Sequence, residues 1–152
     1  MTRTEARDSI FRIVFREAFL SDQAMAGQTE EYLAQLGEEP ETFLPGMKKE
    51  IEPADEEYIR KKVDAILDKT DELDRMLEAV SKDWKMNRVG KAELAILRVA
   101  AYEIRFDDDI PDKVAINEAL ELAKKYCDEK AVPFINGVLN QLLTPKENVT
   151  TE

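Results

Sequence analysis

Arg3, Arg7, Arg12 and Arg16 crowd the start of the chain, and Phe15 stands among them. Arg3 and Arg7 are four residues apart, as are Arg12 and Arg16, so on a helix the members of each pair sit one turn apart. Single-stranded RNA is held by cations on its phosphates and by planar faces under its bases, and this segment supplies both kinds of group. Each residue also has a plainer use. Arg12 and Arg16 can solvate a polar helix face, and Phe15 can fill a core. Taken singly the two uses are evenly balanced, so only a cluster makes a site.

Other chemistries are harder to build. The chain has no histidine, which removes Ser-His-Asp and Cys-His nucleophile pairs, HExxH zinc sites, and any side chain whose ordinary charge switches near neutral pH. One cysteine, Cys127, excludes an internal disulfide and a multi-cysteine zinc knot. The five glycines include no GxGxxG spacing, and Gly90-Lys91-Ala92 lacks the remainder of a phosphate-binding loop. Asp107-Asp108-Asp109 offers carboxylates for Mg²⁺, but consecutive residues point apart and no EF-hand spacing follows, so a turn between helices is the better reading. Composition therefore favours a binding protein over an enzyme, with no metal and no cofactor expected.

The 152 residues suffice for one globular domain or two small lobes. Their net charge of −11 is unevenly spread. Residues 1–20 sum to +1, 21–57 to −9, 58–105 to +2 and 106–152 to −5, from four Arg against three acids, two Lys against eleven, eleven bases against nine, and five against ten. The acidic part, about 37–54, contains Pro40, Pro45 and Pro53 and reads as a solvated connection. No apolar run approaches the roughly 18 residues that cross a bilayer, and the N-terminus lacks the apolar stretch of a signal peptide. A soluble, cytoplasmic protein is expected.

Apolar residues recur at helical spacing nearly throughout, which predicts an all-α fold of about seven helices in two packed lobes. The expected helices cover about Arg3–Ala26, Thr29–Leu36, and Asp55–Lys82 with a break near Thr70-Asp71, where Asp71 can cap a second helix. Three more follow: residues 91–106 with Leu94, Leu97, Ala101 and Ile104 on one stripe, a helix opening at Pro111-Asp112 and closing near Lys124-Lys125, and Pro133–Leu143, stopped by Pro145. The expected division is an N-terminal lobe of about 1–82, a C-terminal lobe of about 83–145 and a tail, 146–152.

The run Ile96-Leu97-Arg98-Val99-Ala100-Ala101-Tyr102-Glu103, then Ile110-Pro111-Asp112-Lys113-Val114-Ala115-Ile116-Asn117-Glu118-Ala119, Leu122-Ala123-Lys124 and Phe134-Ile135-Asn136-Gly137-Val138-Leu139-Asn140, resembles the C-terminal half of the NusB family of transcription antitermination factors. At the N-terminus Ala6-Arg7 and Phe15 occupy the places of that family's basic, aromatic-containing first helix. The resemblance implies a helical fold of two lobes, no catalysis and no cofactor. It also implies partners: NusE, a small-subunit ribosomal protein, boxA-type RNA of ribosomal transcripts, and through them the RNA polymerase elongation complex. Relatives occur both as monomers and as homodimers.

By the same resemblance Tyr126, Lys130 and Phe134 lie near the first helix and complete an RNA surface with Arg3, Arg7, Arg12, Phe15 and Arg16. Glu93 matches a position that meets basic groups of the ribosomal protein, with Glu103 and Glu118 as alternatives. Asn117 and Asn136 are read as structural amides, and Arg98 as half of an internal ion pair with Glu103 or Glu118. The chain departs from the family's run of consecutive arginines. Glu5 and Asp8 interrupt Arg3 and Arg7, which lowers the expected phosphate affinity and keeps open a second reading: a helical protein-interaction module with weak or lost RNA binding.

Overall fold

In the computed structural model the described residues are 1–17, 52–80 and 90–151. Every regular element among them is a helix: α1 (Arg3–Glu17), α2 (Pro53–Asp68), α3 (Thr70–Val80), α4 (Lys91–Phe106), α5 (Asp112–Tyr126) and α6 (Ala131–Thr151). The expected all-α class holds. The far end of the first expected helix, the helix expected at Thr29–Leu36 and nearly all of the acidic connection lie outside the described residues.

The chain divides into two compact units, Met1–Leu67 and Asp68–Glu152. In the first, α1 opens with a reciprocal cap. The Glu5 backbone N–H donates to Thr2 Oγ1 at 3.0 Å, and the Thr2 N–H donates to Glu5 Oε1 at 2.8 Å. Two otherwise orphaned amides are satisfied, as the spacing Thr2-Arg3-Thr4-Glu5 permits. Along α1 all six residues from Ala6 to Phe11 are buried, as are Ile13 and Val14. So consecutive a buried run covers more than one helix face. In α2 the buried set, Ile59, Lys62, Val63 and Ile66, keeps helical spacing.

In the second unit α4 is the central helix, packed by α3, α5 and α6. Ala95 to Ala101 are buried without interruption, so the helix is enclosed rather than amphipathic. Each fully buried Ile or Leu here contributes about 1.5–3 kcal/mol relative to exposure. Arg98 lies in this apolar run and forms a forked pair with Asp74 of α3, Nε to Oδ1 at 2.9 Å and Nη2 to Oδ2 at 2.8 Å. The partners expected for Arg98 were Glu103 or Glu118, whereas the ion pair found is with Asp74, 24 residues upstream. Its bidentate geometry ties α3 to α4.

Several boundaries differ from expectation, each for a local reason. The break between α2 and α3 falls at Lys69, and Asp71 lies inside the first turn of α3, where its charge complements the helix dipole instead of capping. α3, expected in the N-terminal lobe, packs on α4 and α6. Pro111 is the residue before α5, in extended conformation, rather than its first helical residue. Pro145 does not stop α6. A proline's fixed φ is itself helical, and the disruption it causes is local to the carbonyl four residues back. Close to that point, Arg105 Nη2 donates to the Leu142 carbonyl at 3.1 Å and holds the helix to α4. Asp107-Asp108-Asp109 makes the expected turn, the Asp109 N–H donating to Asp107 Oδ1 at 3.1 Å.

Candidate nucleic-acid interface

The cations of α1 divide by what holds them. Arg3 is exposed, with its guanidinium carbon 3.9 Å from the centroid of the Tyr58 ring of α2. Lys62 approaches the same ring from 5.4 Å and its Nζ donates to the Tyr58 hydroxyl at 3.2 Å. A guanidinium laid on an aromatic face keeps an outer planar surface on which a base can stack. Arg12 Nε donates to Asp8 Oδ1 at 3.0 Å, an i,i+4 pair whose carboxylate is buried. Arg16, half-buried, lies in the last turn of α1, where the helix dipole favours a cation.

Arg7 is placed otherwise. It is only 4% exposed, so it belongs to the interior of the first unit rather than to a phosphate-binding face. The reason lies in α1 itself, whose Ala6–Phe11 run is buried on all sides. Phe15 is half-buried and stacks on Phe11, ring centroids 5.7 Å apart and planes within 7°. One ring anchors the other and leaves Phe15 partly accessible.

The second set sits at the junction of α5 and α6. Tyr126 ends α5, half-buried, with Lys125 Nζ 5.3 Å from its ring centroid. Lys130, exposed, immediately precedes α6, and Phe134 is half-buried in the first turns of that helix. Ala131 and Val132 N–H groups donate to the Asp128 and Glu129 carbonyls at 2.9 and 3.2 Å, which winds the connection tightly into α6. Pro133 falls within the first turn, where a missing amide costs nothing. Arg3, Arg12, Phe15 and Arg16 thus share the first unit, and Tyr126, Lys130 and Phe134 share the second.

Comparison with known proteins decides the lineage. The model of the NusB family matches residues 4–144. The chain belongs to the NusB family. Among curated NusB relatives, described as transcription antitermination proteins, that of Lachnoclostridium phytofermentans is 41% identical over 143 residues, covering 94% of this chain and 99% of the relative. That of Agathobacter rectalis is 43% identical over 141 residues, covering 91% and 97%. Among solved structures, T. maritima NusB superposes with a TM-score of 0.78 at 26% identity over 93% of this chain and 90% of that one. A crystal structure of NusB and NusE in complex with double-stranded RNA gives 0.76 at 25% identity, covering 94% and 96%.

In this NusB-family chain the three candidate partner acids are not equivalent. Glu103 is 1% exposed and lies inside the second unit, which leaves it no surface to offer. Glu118 is half-buried on α5. Glu93, also half-buried, sits in the first turn of α4 and folds its carboxylate back over Gly90, where a Cβ would collide with Glu93 Oε1. Glu93 also reaches Cys127: burial first, then the Glu93 and Asp128 carboxylates, push that thiol up from 9.0 to about 11. A thiol so raised stays protonated and unreactive at neutral pH.

Two features escaped the reading of the sequence. Tyr58 holds Arg3 through a ring and not through a charge, and the only sequence signal was Tyr58 four residues before Lys62. Asn117 and Asn136, read as structural amides, are both exposed. Helical phase explains the second miss: each asparagine follows a buried isoleucine, Ile116 or Ile135, by one position and is turned out of the core.

Proposed function

We propose that the chain is a non-catalytic antitermination factor that binds boxA-type single-stranded RNA of ribosomal transcripts together with NusE and acts, in the cytoplasm, on the RNA polymerase elongation complex. The observation that carries this reading is the likeness, over nearly the whole chain, to a NusB solved together with NusE and RNA. The side chains agree with it. Arg3 on Tyr58, Arg16 and Phe15 offer cations and rings on the first unit, and Tyr126, Lys130 and Phe134 do so on the second. Glu93 is the preferred contact for basic groups of NusE over Glu103, since Glu93 is half-buried and Glu103 is enclosed. Among the described residues no helix is long and apolar enough to cross a membrane.

The test is titration of boxA-type RNA with the chain alone and with NusE, at two salt concentrations. Tighter binding by the pair, weakening as salt rises, is the expected result. No RNA-dependent gain on adding NusE rejects it. Burial of Arg7 and the Arg12–Asp8 pair favour one competing reading, a NusE-binding module with little RNA affinity. In that case Arg16→Glu and Lys130→Glu leave NusE binding unaltered and no RNA is protected from nuclease.

A further inference from the structure

From Ala131 to Pro145 no residue carries a charge, the longest such run in a chain of net charge −11. Much of that run is not core. Pro133, Asn136, Gly137, Asn140 and Gln141 are all exposed on α6. Phe134, Gly137 and Gln141 follow one another along a single helical stripe, and Pro133, Asn136 and Asn140 form the neighbouring one. We infer that this outer face of α6 continues the RNA track beyond Lys130 and Phe134, with Asn136 reading a base edge and Gly137 giving the strand close approach to the helix backbone.

Three observations carry it. The first is order at an exposed site. The Asn140 amide donates to Asn136 twice, to its backbone carbonyl at 2.8 Å and to its Oδ1 at 2.9 Å. Asn136 is therefore held in one orientation by its oxygen, and its amide N–H groups donate no hydrogen bond among the described residues. A fixed, outward pair of donors suits the acceptor atoms of a base. The second is Gly137. An added Cβ there meets nothing within 4 Å among the described residues, so their packing has no need for glycine. In an exposed helix interior glycine is less favourable than alanine by about 1 kcal/mol, and its gain is close approach of another chain to the backbone. The third is charge. A polyanion is repelled by carboxylates, and this face excludes them, whereas a basic ribosomal protein gains nothing from an acid-free surface. The new track from Phe134 to Gln141 is about 10 Å long.

The inference rests on the RNA-binding reading above, and the experiment separates the two. BoxA-type RNA is titrated with the NusE complex of the wild type, Asn136→Ala, Gly137→Ala, Gly137→Gln and Lys130→Gln, with the melting temperature of each variant measured in parallel. Asn136→Ala is expected to weaken RNA binding about tenfold without changing the salt dependence, because no phosphate contact is lost. Lys130→Gln weakens binding and lowers the salt slope by about one. Gly137→Ala raises the melting temperature by about 3 °C and yet lowers RNA affinity, a combination that a structural role cannot produce. Gly137→Gln lowers it further. Wild-type affinity in the Asn136 and Gly137 variants, with Lys130→Gln impaired, overturns the α6 track and leaves the RNA-binding reading standing. Loss of NusE from those variants makes the face a protein contact and also overturns it. A wild-type complex that binds no RNA overturns both.

Discussion

In α1, Arg7 is buried, Arg12 is held by Asp8 and Arg3 lies on Tyr58; in α6, the outward residues Pro133, Asn136, Gly137, Asn140 and Gln141 have no charge to neutralise. The first helix is rich in cations and uses several of them within its own unit. Between Ala131 and Pro145 the last helix has none and keeps one amide fixed toward solvent. A count of arginines therefore overstates what α1 offers to phosphates, and a count of charges misses what α6 offers to bases. Affinity and selectivity are expected to divide along that line, because phosphate contacts position a strand and base-edge contacts specify it.

The largest effect that can break the comparison is on folding. Arg7→Glu places a carboxylate in a buried position beside the buried Asp8, and a loss of about 3 kcal/mol or more is expected in urea denaturation without RNA. An unchanged midpoint returns Arg7 to the surface and restores the simple arginine count. Next in size are the rings. Phe15→Ala and Phe134→Ala are each expected to cost about 1–3 kcal/mol of RNA affinity by isothermal titration, the typical worth of a base stacked on an aromatic side chain. An effect confined to one ring assigns stacking to one unit alone.

Smaller effects separate the two kinds of arginine. Arg16→Gln should reduce the salt slope of RNA binding by about one. Arg12→Gln should leave that slope nearly unchanged, since Asp8 already neutralises Arg12. Equal slopes in the two variants remove the distinction. The smallest effect concerns Cys127, beside the α5–α6 junction. Its alkylation by iodoacetamide should be slow at pH 8 and rise toward about pH 11, as the raised thiol ionises. The folded thiol keeps its proton after the unfolded one has lost it, so its contribution to stability is full below about pH 9 and lost as pH climbs toward 11. Rapid alkylation at pH 8 shows that burial and the Glu93 and Asp128 carboxylates do not act on it together.

What the residues disclosed in advance follows from the range of the interactions. Helix periods are local, so α4, α5 and the start of α6 were legible from Leu94, Leu97 and Ala101, from Pro111-Asp112, and from Phe134 and Ile135. The family itself was legible from the motif series between Ile96 and Asn140. The partner of Arg98 was not, because Asp74 comes from another helix and nothing in the spacing marks it. Burial of Arg7 was hidden for a related reason: a charged residue reads as surface until an enclosing structure exists. Pro145 misled because proline marks a helix end only where the next turn has no other support, and Arg105 supplies support from α4. The α6 face went unseen because absence of charge is a weak signal in a helix that also carries core residues.

The most direct measurement is an amide chemical-shift map of the labelled chain in complex with NusE, recorded with and without boxA-type RNA. Shifts are expected at Arg3, Phe15 and Arg16 in the first unit and at Lys130, Phe134, Asn136 and Gly137 in the second. Shifts at none of these residues contradict the RNA-binding reading, and shifts at Lys130 and Phe134 without Asn136 and Gly137 contradict the α6 track.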